Sequence, residues 1–130
     1  MISSLHHIGC LVTDLTVAIA DYQLLHPAGM ASAIFEIPDQ KVKVQFYSIG
    51  DTQVEFVQPM DETSSLSQLL KKNAGYYHIG VYTDNIAAEI TRLEDAGYRL
   101  VNKFRSAAFG DRYCAFMYNL EYHLIELIEQ

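Results

Sequence analysis

Cysteine is scarce: Cys10 and Cys114 are the only two in 130 residues, too few for a disulfide framework. Each lies inside an apolar, strand-like run, where a thiol behaves as a small hydrophobe. Basic residues are also few, 9 Lys and Arg against 16 Asp and Glu, giving a formal net charge of −7. Phosphate backbones are bound by cationic surfaces that displace counterions, so a nucleic acid partner is disfavoured. No apolar run approaches the ~20 residues of a bilayer-spanning helix, and no membrane partner is expected. The opening Met1-Ile2-Ser3-Ser4-Leu5-His6-His7 lacks a basic region followed by an apolar stretch. No secretory signal is therefore expected, and a cytoplasmic location is. What is present is apolar: 50% of the residues are hydrophobic and only 19% charged. That composition builds a core, and the length suits one domain over 1–130.

The sequence repeats itself. Leu5-His6-His7-Ile8-Gly9 resembles Tyr76-Tyr77-His78-Ile79-Gly80, and His7 and His78 are 78 − 7 = 71 apart. Val54-Glu55-Phe56-Val57 resembles Ile125-Glu126-Leu127-Ile128, and 126 − 55 is again 71. Val44-Gln45-Phe46-Tyr47 falls on Ala115-Phe116-Met117-Tyr118 under the same shift, with no gap. The chain reads as a duplicated module.

Each half carries the same series of elements. Residues 5–12 alternate and are rich in branched side chains, as a strand should be. Asp14 can cap a helix with an apolar face of Leu15, Ala18, Ile19, Tyr22 and Leu25, ended by His26-Pro27-Ala28-Gly29. Strands are expected around 31–37, 41–49 and 52–59, with turns at Pro38-Asp39-Gln40 and Gly50-Asp51. The second half gives a strand over 76–83 and a helix over 86–96, capped by Asp84 or Asn85 and stopped at Gly97. Strands near 98–104, 112–119 and 123–129 follow. The connecting stretch, about 60–75, reads as a linker with a short helix at 65–72. The expectation is an α+β fold of two tandem βαβββ modules, about 1–60 and 76–130.

Strand alternation puts His7 on the face with Gly9 and Leu11, and His78 with Gly80 and Tyr82, away from the residues suited to pack on a helix. Glu55 and Glu126 sit in very apolar strands, where a carboxylate is costly unless it is paired or binds a cation. Two imidazoles and two carboxylates offer N2O2 ligation of a borderline or hard divalent ion. In an octahedron they leave two positions for a bidentate oxygen ligand. His6, His26 and His123 do not share the repeat and read as structural or surface histidines.

These residues resemble the vicinal oxygen chelate superfamily, the glyoxalase and bleomycin-resistance fold, over nearly the whole chain. The marks are His7-Ile8-Gly9, Glu55 in Val-Glu-Phe-Val-Gln-Pro, His78-Ile79-Gly80, and Glu126 in Leu-Ile-Glu-Leu-Ile-Glu. Within it the chain looks most like methylmalonyl-CoA epimerase-like proteins, through Ile37-Pro38-Asp39-Gln40-Lys41-Val42 and Ile49-Gly50-Asp51-Thr52-Gln53-Val54-Glu55. The resemblance implies a curved mixed sheet around a central metal cleft, with His7, Glu55, His78 and Glu126 as the ligands. The cofactor would be one divalent ion: cobalt, manganese, nickel or zinc. It implies a small carbonyl or thioester substrate, an α-proton removed and returned by carboxylates, and an enediolate stabilised by the cation. Glu126 and Asp39 are the implied catalytic pair, Asp39 standing where such proteins usually carry Glu. The stretch Ala115 to His123 departs from their usual Phe-Leu-His-Pro-like segment, and the final turn has no Gly.

Two other functions use the same scaffold. One is isomerisation of a glutathione hemithioacetal, as in a glyoxalase I-like lactoylglutathione lyase. The other is non-catalytic capture of a drug or metabolite, as in bleomycin-resistance proteins, against which four retained ligands argue. A ring-cleaving dioxygenase fits less well, because its facial set leaves three open positions. Lys41, Lys71, Lys72, Lys103, Arg105 and Arg112 are the cations that can meet an anionic substrate. The chain is expected to pair into a homodimer, since exposed sheet edges need covering.

Overall fold

Alternating apolar residues and short turns give eight strands, and 3.6-residue periodicity gives three helices, in a computed structural model that describes residues 1–72 and 75–130. In order these are β1 (Ile2–Leu11), α1 (Leu15–Leu25), β2 (Met30–Ile37), β3 (Val42–Ile49), β4 (Thr52–Pro59), α2 (Ser65–Lys72), β5 (Gly75–Thr83), α3 (Ile86–Asp95), β6 (Arg99–Ser106), β7 (Arg112–Tyr118) and β8 (Leu124–Glu129). Short 3-10 turns at Pro38–Gln40 and Ala107–Phe109 join β2 to β3 and β6 to β7. Asn73 and Ala74, at the end of the expected linker, lie outside the described residues. Among the described residues no helix is long and apolar enough to cross a membrane. The chain divides into two compact units, His7–Tyr77 and Met1–His6 together with His78–Gln130.

In the unit His7–Tyr77 the strand order is β2-β3-β4-β1. β1 and β4 are parallel, and the β2–β3 and β3–β4 pairs are antiparallel. A parallel neighbour requires a crossover, and α1 is the first element of it. Asp14 caps that helix by accepting from the Thr16 and Val17 amides at 2.8 and 3.3 Å, worth about 1 kcal/mol. Leu15, Ala18 and Ile19 pack on Tyr47, Val54 and Phe56, with Cys10, Val12 and Tyr22 at the edge. Truncating one of the large aliphatic residues here costs about 2–5 kcal/mol. Leu25, expected on the same face, is 73% exposed. It stands about 70° from the centre of the stripe, at its rim. The Tyr22 and Tyr47 rings close the core before the stripe reaches it. The Tyr47 hydroxyl then donates to the His26 carbonyl at 2.6 Å. A side chain at Gly29 would overlap that Tyr47 ring, so the chain can turn back to β2 only without one.

In the other unit the order is β5-β8-β7-β6. The opening residues of β1 lie beside the end of β5, where the Met1 ammonium meets Asp84 and the Ser3 hydroxyl donates to the Tyr82 carbonyl. β5 and β8 are parallel, and the other two pairs are antiparallel. Asn85 caps α3 through the Ala88 amide. At its end Gly97, at φ +96°, places its amide on Glu94 and that of Tyr98 on Leu93, satisfying the last carbonyls. Ile86, Ile90 and Leu93 bury against Val81, Ala115, Met117 and Leu127. The mixed α+β fold is thus βαβββ in each half.

The repeat itself needs a correction, because the shared shift of 71 hides three compensating length changes. β1 and α1 map to β5 and α3 at 71, but β2 begins at 30 and β6 at 99, a shift of 69. β3 begins at 42 and β7 at 112, a shift of 70. The second half is two residues shorter from helix to second strand, then one residue longer at each hairpin. The register decides the pairing: Phe46 lies opposite Glu55, and Phe116 opposite Glu126. Phe116 therefore corresponds to Phe46 and not to Gln45. A slip of one residue would have turned it to the other face of its sheet.

Candidate metal centre

Parallel pairing sets up the same arrangement in each unit. β1 lies against β4 with Gly9 opposite Glu55, and β5 against β8 with Gly80 opposite Glu126. The histidine two residues earlier shares that face. A glycine opposite each carboxylate presents no side chain to contend for the space beside it, which gives the His-Ile-Gly spacing a physical reason. His7 Nε2 lies 3.5 Å from Glu55 Oε1, and His78 Nε2 lies 3.0 Å from Glu126 Oε2. The four residues are 0–3% exposed.

Each imidazole rests against the edge or face of a phenylalanine. Phe46 meets His7 at 5.7 Å between centroids and 71° between planes, and Phe116 meets His78 at 5.1 Å and 79°. Phe35 backs the first and Phe104 the second. These aromatics pack on the imidazole rings and limit their freedom to turn. Sequence reading passed over Phe46 and Phe116 because the ungapped repeat set them one residue apart.

The donor chemistry fits a divalent cation. Each of the four residues offers one ligand atom, an imidazole nitrogen or a carboxylate oxygen, and all are buried. A carboxylate taken so far out of water needs a strong partner, and imidazole nitrogen with carboxylate oxygen suits divalent ions from manganese to zinc. The structure brings His7 to Glu55 and His78 to Glu126. Asp39 stands apart from both pairs in role: it is an exposed residue of the 3-10 turn between β2 and β3.

The other expected residues fall as follows. His6 packs its ring against Tyr82 and Phe109 at 5.0 and 5.1 Å, a structural position. His26 receives the Tyr47 hydroxyl on its carbonyl, and His123 is exposed. Cys10 is half-buried and Cys114 buried. Burial, with the nearby Glu55 charge adding, pushes the Cys10 thiol up. Among the cations, Lys103 and Arg105 gather over the Tyr113 ring, Arg105 at 4.1 Å. Lys41 donates to Thr63, and Lys71 pairs with Glu62 at 2.7 Å.

A duplicated βαβββ fold with a buried imidazole and carboxylate in each copy defines a protein whose halves carry like pairs of side chains that could hold a metal. The chain belongs to the glyoxalase/bleomycin resistance protein/dioxygenase superfamily, whose family model matches residues 6–116. It is 34% identical to an ethylmalonyl-CoA/methylmalonyl-CoA epimerase of Cereibacter sphaeroides over 78% of this chain and 76% of that one. It is 31% identical to the mitochondrial methylmalonyl-CoA epimerase of Homo sapiens over 76% of this chain, a match spanning 57% of the human protein. Among solved structures, a methylmalonyl-CoA epimerase from Mycobacterium tuberculosis superposes with a TM-score of 0.86 at 27% identity, covering 98% of this chain and 88% of that one.

Proposed function

We propose that the two imidazole–carboxylate pairs hold one divalent ion, and that the protein epimerises an acyl-CoA thioester of the methylmalonyl type. One observation carries this reading: the same buried His–Glu pair occurs twice, in a chain 34% identical to an ethylmalonyl-CoA/methylmalonyl-CoA epimerase. His7, Glu55, His78 and Glu126 would be the ligands. When bound, the ion would supply Lewis-acid stabilisation of the negative charge that develops on the thioester oxygen.

The residues do the rest. Glu126 takes the α-proton: the C–H bond breaks, its electron pair delocalises into the thioester carbonyl, and the proton moves to a carboxylate oxygen. Epimerisation needs a proton delivered to the opposite face of the planar carbon, and Asp39 is assigned that role. Its place on an exposed turn supports exchange of its proton with solvent.

The test is metal content of gently purified, untagged protein, together with solvent-deuteron uptake into methylmalonyl-CoA. About one ion per chain, lost in Glu55→Ala and His78→Ala with the fold intact, and deuterium at the α-carbon, are expected. Turnover of a glutathione hemithioacetal in place of the CoA thioester would move the protein to the lactoylglutathione lyases. Absence of metal after incubation with cobalt, manganese, nickel or zinc would overturn the reading and leave a binding protein.

A further inference from the structure

Within the unit that contains β5 to β8, the ladder lines up one row of residues on a single face: Gly80, Glu126, Phe116 and Asn102, one from each strand. Strands are about 4.8 Å apart, so Asn102 lies two spacings, about 10 Å, from Glu126 along that row. Asn102 is half-buried, and its carboxamide oxygen is buried with no hydrogen-bond partner among the described residues. Leaving such an acceptor unsatisfied costs about 1–3 kcal/mol. The corresponding position of the other unit, at the β2-to-β6 shift of 69, is Ala33. The duplicated scaffold therefore folds without a polar group here, and an unsatisfied one needs an explanation outside the fold.

We propose that Asn102 is a positioning residue for the thiol arm of the substrate, its carboxamide oxygen accepting the first amide N–H beyond the thioester sulfur. The inference rests on the epimerase reading above and extends it. With the acyl group held at Glu126, the arm of a pantetheine-type thioester crosses Phe116. The first hydrogen-bond donor it carries is a secondary amide, separated from sulfur by two methylenes. The lone acceptor on the far side of Phe116 suits that donor. A Leu at this position keeps the branched outline of the side chain and removes the acceptor.

The experiment uses two methylmalonyl thioesters: one of N-acetylcysteamine, which keeps the amide, and one of pentanethiol, which replaces it with methylenes. KM and kcat are measured on both for the wild type and Asn102→Leu, beside metal content and Tm. The variant is expected to raise KM about tenfold on the amide thioester, the loss of one buried hydrogen bond. Its kcat, its metal content and its KM on the pentyl thioester are expected to stay within about twofold of wild type. Its Tm should not fall, since an unsatisfied acceptor has been removed. Equal effects on both thioesters, or none on either, would overturn the proposal while leaving the epimerase reading in place. A wild type that exchanges the α-proton of methylmalonyl-CoA but of neither short thioester would overturn the proposal alone; one that exchanges none of the three would overturn both.

Discussion

The two units are close copies at the buried imidazole–carboxylate pairs and unlike one strand away. Each sets a histidine beside a glutamate, a glycine opposite the glutamate, and a phenylalanine against the imidazole. In β2 the face bearing Phe35 ends in Ile37, 5% exposed; in β6 the face bearing Phe104 ends in Ser106, 0% exposed. The Ser106 hydroxyl has no hydrogen-bond partner among the described residues. Asn102 replaces Ala33 in the same way. The proposed metal shell would constrain both copies alike, because ligand number and softness admit little variation. The surroundings carry no such constraint, and there the copies have diverged: apolar in one, polar and unsatisfied in the other.

The sharpest break in the comparison should come from its most symmetric residues. Glu55→Gln and Glu126→Gln replace equivalent carboxylates by isosteres. Both are expected to weaken metal binding by at least about 10–100-fold, the range for loss of a partner that only supports a ligand. Of these two glutamates only Glu126 is assigned proton transfer, so with metal restored to saturation Glu126→Gln should retain a further loss of about 10²–10⁴ in kcat. Glu55→Gln should recover to within about tenfold of wild type. Titration of each apoprotein with cobalt, followed by turnover at saturation, separates the two effects. Equal residual losses would show that the carboxylates act only as ligands, and that proton transfer belongs elsewhere.

Most of the fold was legible because its signals are local. Asp14 and Asn85 precede helical periodicity, Gly97 follows it, and the strands alternate between turn residues; the helix at Leu15–Leu25 and the cap at Asp14 are as expected. The His-x-Gly and strand-centred Glu repeats likewise pointed to residues that the structure pairs. Long-range register escaped the sequence. One shift of 71 at both ends masked changes of −2, +1 and +1 between them, so Phe116 was matched with Gln45 and the ring against each histidine went unnoticed. Burial of polar groups escaped for the same reason. Nothing local to Asn102, Ser106 or Glu89 says what will be packed over them, because that depends on strands and helices far away in sequence.

Ser106 and Ile37 offer a second break, smaller and in stability. Ser106→Ala removes a buried hydroxyl without a partner and leaves only a small void, so it should be neutral or stabilising by about 1 kcal/mol. Ile37→Ser makes the reverse exchange in the other unit. It should cost about 3 kcal/mol or more, since lost apolar burial adds to a new unsatisfied group. Denaturant unfolding of the two single variants reads the difference directly. A Ser106→Ala variant destabilised by more than about 1 kcal/mol would mean that a buried water or ligand satisfies the hydroxyl in solution.

The helices supply the third contrast. Position 89 in α3 is glutamate, 2% exposed, and its counterpart at the shift of 71 is Ala18 in α1. Arg92, one turn on, donates to the Glu89 carboxylate, and the Met1 ammonium lies 3.7 Å away. The Arg92 hydrogen bonds, with that positive charge and the Met1 ammonium assisting, hold the Glu89 carboxyl below its ordinary value against the opposing effect of burial. A depressed carboxyl stabilises the folded state above its unfolded pKa of about 4.3 and loses that contribution as pH falls through the lower, folded value. Arg92 is 55% exposed, so solvent screening limits the gain to about 1 kcal/mol. Wild type and Glu89→Gln should therefore differ by about that much at pH 7 and converge on acidification below about pH 4. The same titration of Ala18→Gly, which lacks an ionisable partner, should keep a constant offset from wild type. Unfolding curves at each pH decide between them: a Glu89→Gln offset that persists at pH 3 would show that the glutamate contributes through packing and helix propensity, with its charge contributing nothing.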